Sequence, residues 1–187
     1  MQIRTSSRLR DVASARSAAK GWVVVHIVLF QPEIPHNTGA VGRLCLATGS
    51  RLHLIKPLGF SIDDKQLKRA GLDYWAEVDV RVWDSFEEMR AAAATGAEFF
   101  FLTTKATRIH WDAPLTSDEC YLVFGPETRG LPETLLAQES ERAIRIPMQG
   151  TRSLNLATAV GIVMYEAMRQ RRAQDSGIKV QESGGIQ

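Results

Sequence analysis

The sequence predicts an α/β domain: a mostly parallel sheet with helices on both faces. Three observations carry this. Residues 23–29 form an apolar run interrupted only by His26. A strand exposed on one face would alternate, so this one is expected to be buried on both. Further short apolar runs at 52–55, 78–83, 99–102, 121–124 and 143–146 are separated by stretches with helical patterning, the interleaving that builds parallel sheets. Polar segments rich in Gly and Pro follow the runs ending at 29, 124 and 146, where open α/β sheets bind ligands.

The elements follow in order. Pro32 and Pro35 end the first strand. Asn37 or Thr38 is then the expected cap of a helix carrying Ala40, Val41, Leu44, Cys45 and Thr48 on one face and closed by Gly49. Ser85-Phe86-Glu87-Glu88 reads as a capping box opening an Ala-rich helix. Later helices are expected at 132–138 and 154–171, the second with Ser153 as its N-cap and Gly161 at a close helix contact. The expected organisation is a basic flexible leader over 1–21, one domain over 22–172 and a flexible tail over 173–187.

Composition narrows the classes of function. The chain has 187 residues, 44% of them hydrophobic and 24% charged, ordinary values for one globular domain. The net charge of +2 is uneven, because 1–21 carries +4 and 169–187 carries +2, leaving −4 on the residues between. A nucleic-acid partner must therefore be argued from local clusters and not from the overall charge. Cys45 and Cys120 sit far apart in apolar runs, which suggests buried thiols in a reducing compartment. No Cys or His spacing suggests a metal, and no apolar run reaches the roughly 20 residues of a membrane helix. A cytoplasmic protein without metal or membrane partner is the expectation.

Three loops carry candidate chemistry. Residues 33–43 run from strand to helix and end at Arg43, whose planar fork is either a surface feature or an anion contact. Residues 124–132 place Gly125 directly after a strand, with Glu127 and Arg129 either pairing with each other or facing a ligand. Residues 146–155 lead into the longest helix, where Ser153 is an N-cap or a ligand contact and Asn155 can both donate and accept. No Ser/His/Asp or Cys/His arrangement is visible, so covalent catalysis is not indicated. Read from residues alone, the loops suggest a nucleotide-like ligand at the strand ends.

Taken together, Asn37-Thr38-Gly39 with Arg43, then Phe124-Gly125-Pro126-Glu127 with Arg129-Gly130-Leu131-Pro132, then Ile146-Pro147-Met148 with Ser153-Leu154-Asn155 resemble the three motifs of the SpoU branch of the SPOUT methyltransferases. The likeness spans residues 25–169. Within that branch the chain resembles the small TrmL- or YibK-type enzymes, and residues 57–60, 69–74 and 102–105 share the likeness.

The resemblance implies a carboxyl-terminal deep trefoil knot, S-adenosyl-L-methionine as cofactor and a homodimer. It also implies methylation of the ribose 2′-hydroxyl of the tRNA wobble nucleotide, position 34, cytidine or modified uridine. By similarity, Leu102, Gly125, Ile146, Ser153 and Leu154 line the cofactor site. Arg43, Asn155, Ser153 and Glu127 serve the transfer, Glu127 by bracing the second loop, and Tyr165 matches a position linked to the site or the dimer. An arginine guanidinium stays protonated, so an electrostatic role suits Arg43 better than that of a base. Lys65, Lys68, Arg69 and Arg152 are the candidate contacts to the tRNA anticodon stem-loop. The rival readings are a ribose methyltransferase for another tRNA or rRNA site and a non-catalytic RNA-binding module.

Overall fold

A computed structural model describes residues 24–61 and 74–176. Lys65, Lys68 and Arg69, the leader and most of the tail lie outside the described residues.

Six strands form one sheet: β1 (Val25–Phe30), β2 (Arg51–Ile55), β3 (Val80–Trp83), β4 (Glu98–Leu102), β5 (Cys120–Phe124) and β6 (Ala143–Ile144). Their order is β3-β2-β1-β5-β4-β6, and every pairing is parallel. Among the described residues, four α-helices accompany them: α1 (Pro35–Thr48), α2 (Phe86–Ala91), α3 (Glu133–Gln138) and α4 (Leu156–Asp175). The expected parallel α/β architecture is observed.

The pleat divides the core. Val25, Ile27 and Leu29 of β1 point to one face, where they meet Val41 and Cys45 of α1 and Val160, Val163, Met164 and Ala167 of α4. Spacings of three and four on α4 place those four side chains on one helix stripe. Val28 points to the other face, which is aromatic: Phe86, Phe99, Phe101 and Tyr121 pack there with Met89 and Leu131. Leu122 in β5 is fully buried, and its truncation to Ala is expected to cost about 2–5 kcal/mol.

Several boundaries differ from expectation for physical reasons. β1 runs from Val25 because pairing starts there, opposite Cys120, and Phe30 joins it by pairing with Ile55. α1 starts at Pro35, with Ile34 as N-cap and no local side-chain cap. Asn37 and Thr38 are therefore inside the first turn, and Pro at the first helical position needs no amide partner. Gly49 does close α1, with φ of 68°. Ser85 caps α2 by accepting from the Glu88 amide at 3.1 Å, while the Glu88 carboxylate accepts from Asp84 N–H and not from Ser85 N–H. The N-cap of α4 is Asn155, not Ser153: its side-chain oxygen accepts from the Ala157 and Thr158 amides at 3.0 and 3.3 Å. Gly161 faces Leu44 with space for a methyl group at an ordinary 3.6 Å, so close packing does not require glycine there.

Both cysteines are buried and free, as expected. His26 is buried with partners on both ring nitrogens. Its Nδ1 lies 2.9 Å from His53 Nε2, and its Nε2 lies 3.4 Å from the Glu119 carboxylate. Trp83 donates its indole N–H to His53 Nδ1 at 3.0 Å. An indole N–H can only donate, so this chain has one direction: His53 carries its proton on Nε2 and gives it to His26 Nδ1, which leaves the His26 proton on Nε2, facing Glu119. Burial, with Arg51 and Arg81 adding to it, holds the His26 pKa down to about 3. Burial also pushes His53 well below its ordinary value. Among the described residues, no helix is long and apolar enough to cross a membrane, and no group of three His, Cys, Asp or Glu is placed to hold a metal.

Candidate active site

The carboxyl ends of β1, β4 and β5 and the segment after β6 open onto one pocket of about 600 Å³, within the range of small-ligand sites. Leu102, Gly125, Ile146, Ser153 and Leu154 all line it, as do Glu127, Arg152 and Asn155. Phe124, Leu131 and Leu136 extend the apolar wall, and Lys105, Arg129 and Glu133 bring charge to it. Arg43 is not among the lining residues; its guanidinium stacks over Tyr74. Tyr165 is exposed on α4.

Gly125 is required by its own loop. A Cβ there would sit 2.3 Å from the backbone of Gly130 and of Leu131, closer than atoms can approach. The loop folds back on itself, and the Gly130 N–H donates to the Pro126 carbonyl at 3.0 Å. This tight return presents Glu127 to the first loop.

Glu127 is the hub. Its carboxylate accepts from Glu33 N–H at 2.9 Å, Ile34 N–H at 3.3 Å and Asn37 Nδ2 at 3.0 Å. Helix α1 thus receives its missing cap from a side chain more than 90 residues away. The bond is returned, because the Thr128 amide and hydroxyl donate to the Glu33 carboxylate at 3.1 and 2.8 Å. Arg129 donates to Gln31 Oε1 at 2.8 Å, so it does not pair with Glu127. Gln31 itself adopts φ of 49°, a conformation rare outside glycine that marks a constrained strand end.

A directional chain crosses the three loops. A carboxylate only accepts, so Asn37 must turn its Nδ2 toward Glu127 and its Oδ1 outward. Asn155 Nδ2 donates to that Oδ1 at 2.9 Å. The Asn155 Oδ1 is then left to cap α4. Glu33 and Thr128 are contributors that sequence reasoning passed over, and Asn37, expected as a local cap, instead links two loops; their partners lie 90 to 118 positions away, where no local pattern marks them.

The geometry has counterparts among known proteins. Residues 24–165 match the family described as SpoU rRNA Methylase. The chain belongs to the SpoU methylase family. It is 51% identical over 146 residues to a tRNA (cytidine(34)-2′-O)-methyltransferase of Methylovorus glucosotrophus, covering 77% of this chain and 94% of that one. A solved structure described as giving structural insights into the 2-OH methylation of C/U34 on tRNA superposes with a TM-score of 0.75 at 48% identity, covering 81% of this chain and 98% of the other. An AdoMet-bound rRNA methyltransferase from Sinorhizobium meliloti superposes with a TM-score of 0.67 at 26% identity, covering 78% of this SpoU-family chain and 56% of the longer protein.

Proposed function

We propose that this protein methylates the ribose 2′-hydroxyl of tRNA nucleotide 34, with S-adenosyl-L-methionine as methyl donor. The observation that carries the reading is the convergence of Leu102, Gly125, Ile146, Ser153 and Leu154 on one pocket with Asn155 and Glu127 at the same place. The first two relatives named above, similar over nearly their whole length, support it.

The pocket suits the cofactor. Leu102, Ile146 and Leu154 supply apolar walls for a flat base, and the tight return at Gly125 exposes backbone polar groups beside them. When bound, the cofactor supplies an electrophilic methyl group. The chain's own part is to position the ribose and stabilise charge as the hydroxyl loses its proton. Asn155, oriented through Asn37 by Glu127, presents a fixed amide to the pocket. Arg43 lies on the same helix as Asn37, six residues or roughly 9 Å further along. There it holds an RNA phosphate and stabilises the developing oxyanion.

Lys65, Lys68 and Arg69, with Arg152 at the pocket, are proposed to meet the phosphates of the anticodon stem-loop. The reading extends to a carboxyl-terminal trefoil knot, supported by the sheet order in which β5 lies between β1 and β4 while β6 lies beyond β4. It extends also to action in the cytoplasm and to a homodimer, the dimer being supported by large apolar side chains exposed at Trp111, Ile162 and Tyr165. The test is methyl transfer from labelled S-adenosyl-L-methionine to total tRNA, followed by nucleoside identification. Label in the 2′-O-methylated nucleotide at position 34 is expected; label confined to another nucleotide, or none with cofactor bound, would overturn the reading.

A further inference from the structure

Arg43 stands outside the pocket lining, yet its side chain has a defined seat. The guanidinium carbon lies 4.5 Å from the centroid of the Tyr74 ring, a cation–π distance. The Tyr74 hydroxyl donates to the Gly39 carbonyl at 2.9 Å. Residues 39 and 43 are one turn apart on one helix face, so a single tyrosine holds both. The next residue locks this docking, since a Cβ on Gly42 would fall 2.7 Å from the Trp75 ring. Gly39, Gly42 and Arg43 together form the seat of the Tyr74-Trp75 turn.

The choice of an aromatic partner matters chemically. A carboxylate beside Arg43 would occupy its N–H edge and compete with any phosphate. The described residues place no carboxylate in an ion pair with it. The five N–H bonds of a guanidinium lie in its plane, so a ring against its face restrains the cation while leaving that edge to donate.

We propose that Tyr74 is a positioning residue that aims Arg43 at the anionic groups of the RNA substrate. This rests on the role given to Arg43 above. The test is a double-mutant cycle of Arg43→Ala and Tyr74→Leu, read on single-turnover methyl transfer and on tRNA affinity without cofactor. Tyr74→Leu is expected to lower both by about tenfold in the parent protein, a coupling typical of side chains in contact, and by under about twofold in the Arg43→Ala protein. Tyr74→Phe, which keeps the ring, is expected to stay within about threefold of the parent. Equal losses from Tyr74→Leu in both backgrounds would overturn the proposal, as would equal losses from the leucine and phenylalanine variants. Tyr74→Met gives the same comparison where the leucine variant does not fold. Full activity in Arg43→Ala alone would instead remove the role given to Arg43, a separate failure.

Discussion

Two hydrogen-bonded chains cross this protein, and each takes its direction from a group that can act in one sense only. In the core, Trp83 donates to His53, which donates to His26, which faces Glu119. At the pocket, Glu127 accepts from Asn37, which accepts from Asn155, which caps α4. The first is mostly buried and centres on two titratable rings; the second is partly exposed and runs from a carboxylate through two amides that do not titrate. A buried neutral chain makes folding depend on pH and packing. An exposed amide chain adds little to stability but fixes where a functional side chain points.

This contrast is sharpened most by cutting the pocket chain in the middle. Asn37→Leu removes one of the three donors to Glu127 and the acceptor of Asn155 Nδ2, and transfer is expected to fall about a hundredfold, the kinetic equivalent of about 2.7 kcal/mol. Urea unfolding should move by less than about 1 kcal/mol. A large stability loss with a small rate loss would erase the distinction between the chains.

Acid comes next. The folded chain keeps His26 neutral down to about pH 3, whereas an unfolded histidine takes up its proton near pH 6.5. The unfolded state therefore binds more protons below that value, so the contribution is complete above it and is lost as pH falls. His26 alone should cost about 2 kcal/mol at pH 5 relative to pH 8, measured by urea midpoints at the two values. His26→Gln should flatten that dependence, and an unchanged slope would show that the ring is protonated in the fold.

A smaller effect is expected from Trp83→Phe, which removes the donor-only end and leaves His53 Nδ1 unpaired. Stability should drop by about 1.5 kcal/mol with the transfer rate unchanged. Smallest is Lys105→Ala, which breaks a 2.5 Å pair with Glu133 whose two side chains are both largely exposed. The urea midpoint should stay where it is, and a clear drop would mean that the pocket rim carries stability assigned above to the core.

Much of this was legible in the sequence, and the physical reason is locality. Apolar runs announced the parallel strands, and the capping signal at Ser85 placed α2, because those patterns depend on neighbouring residues. The three loops were legible as strand-end segments, and their shared pocket matches that reading. The cap of α1 was not legible: Ile34 holds the cap position, and Glu127 supplies the acceptor from another loop. Ser153 looked like the cap of α4, yet Asn155 two residues on takes it, because Asn37 holds its amide in the orientation that leaves Oδ1 free. The partners of His53 were not legible either, since they come from neighbouring strands.

The central claim is that one acceptor, Glu127, sets the direction of the pocket chain. Glu127→Gln keeps the shape and replaces one acceptor atom with a donor, so at least one of the three N–H groups aimed at it must lose its bond. Single-turnover methyl transfer to tRNA by the Glu127→Gln protein, measured beside its urea midpoint, tests this directly. The account predicts a rate at least tenfold lower with the midpoint nearly unchanged; a rate equal to that of the parent would contradict it.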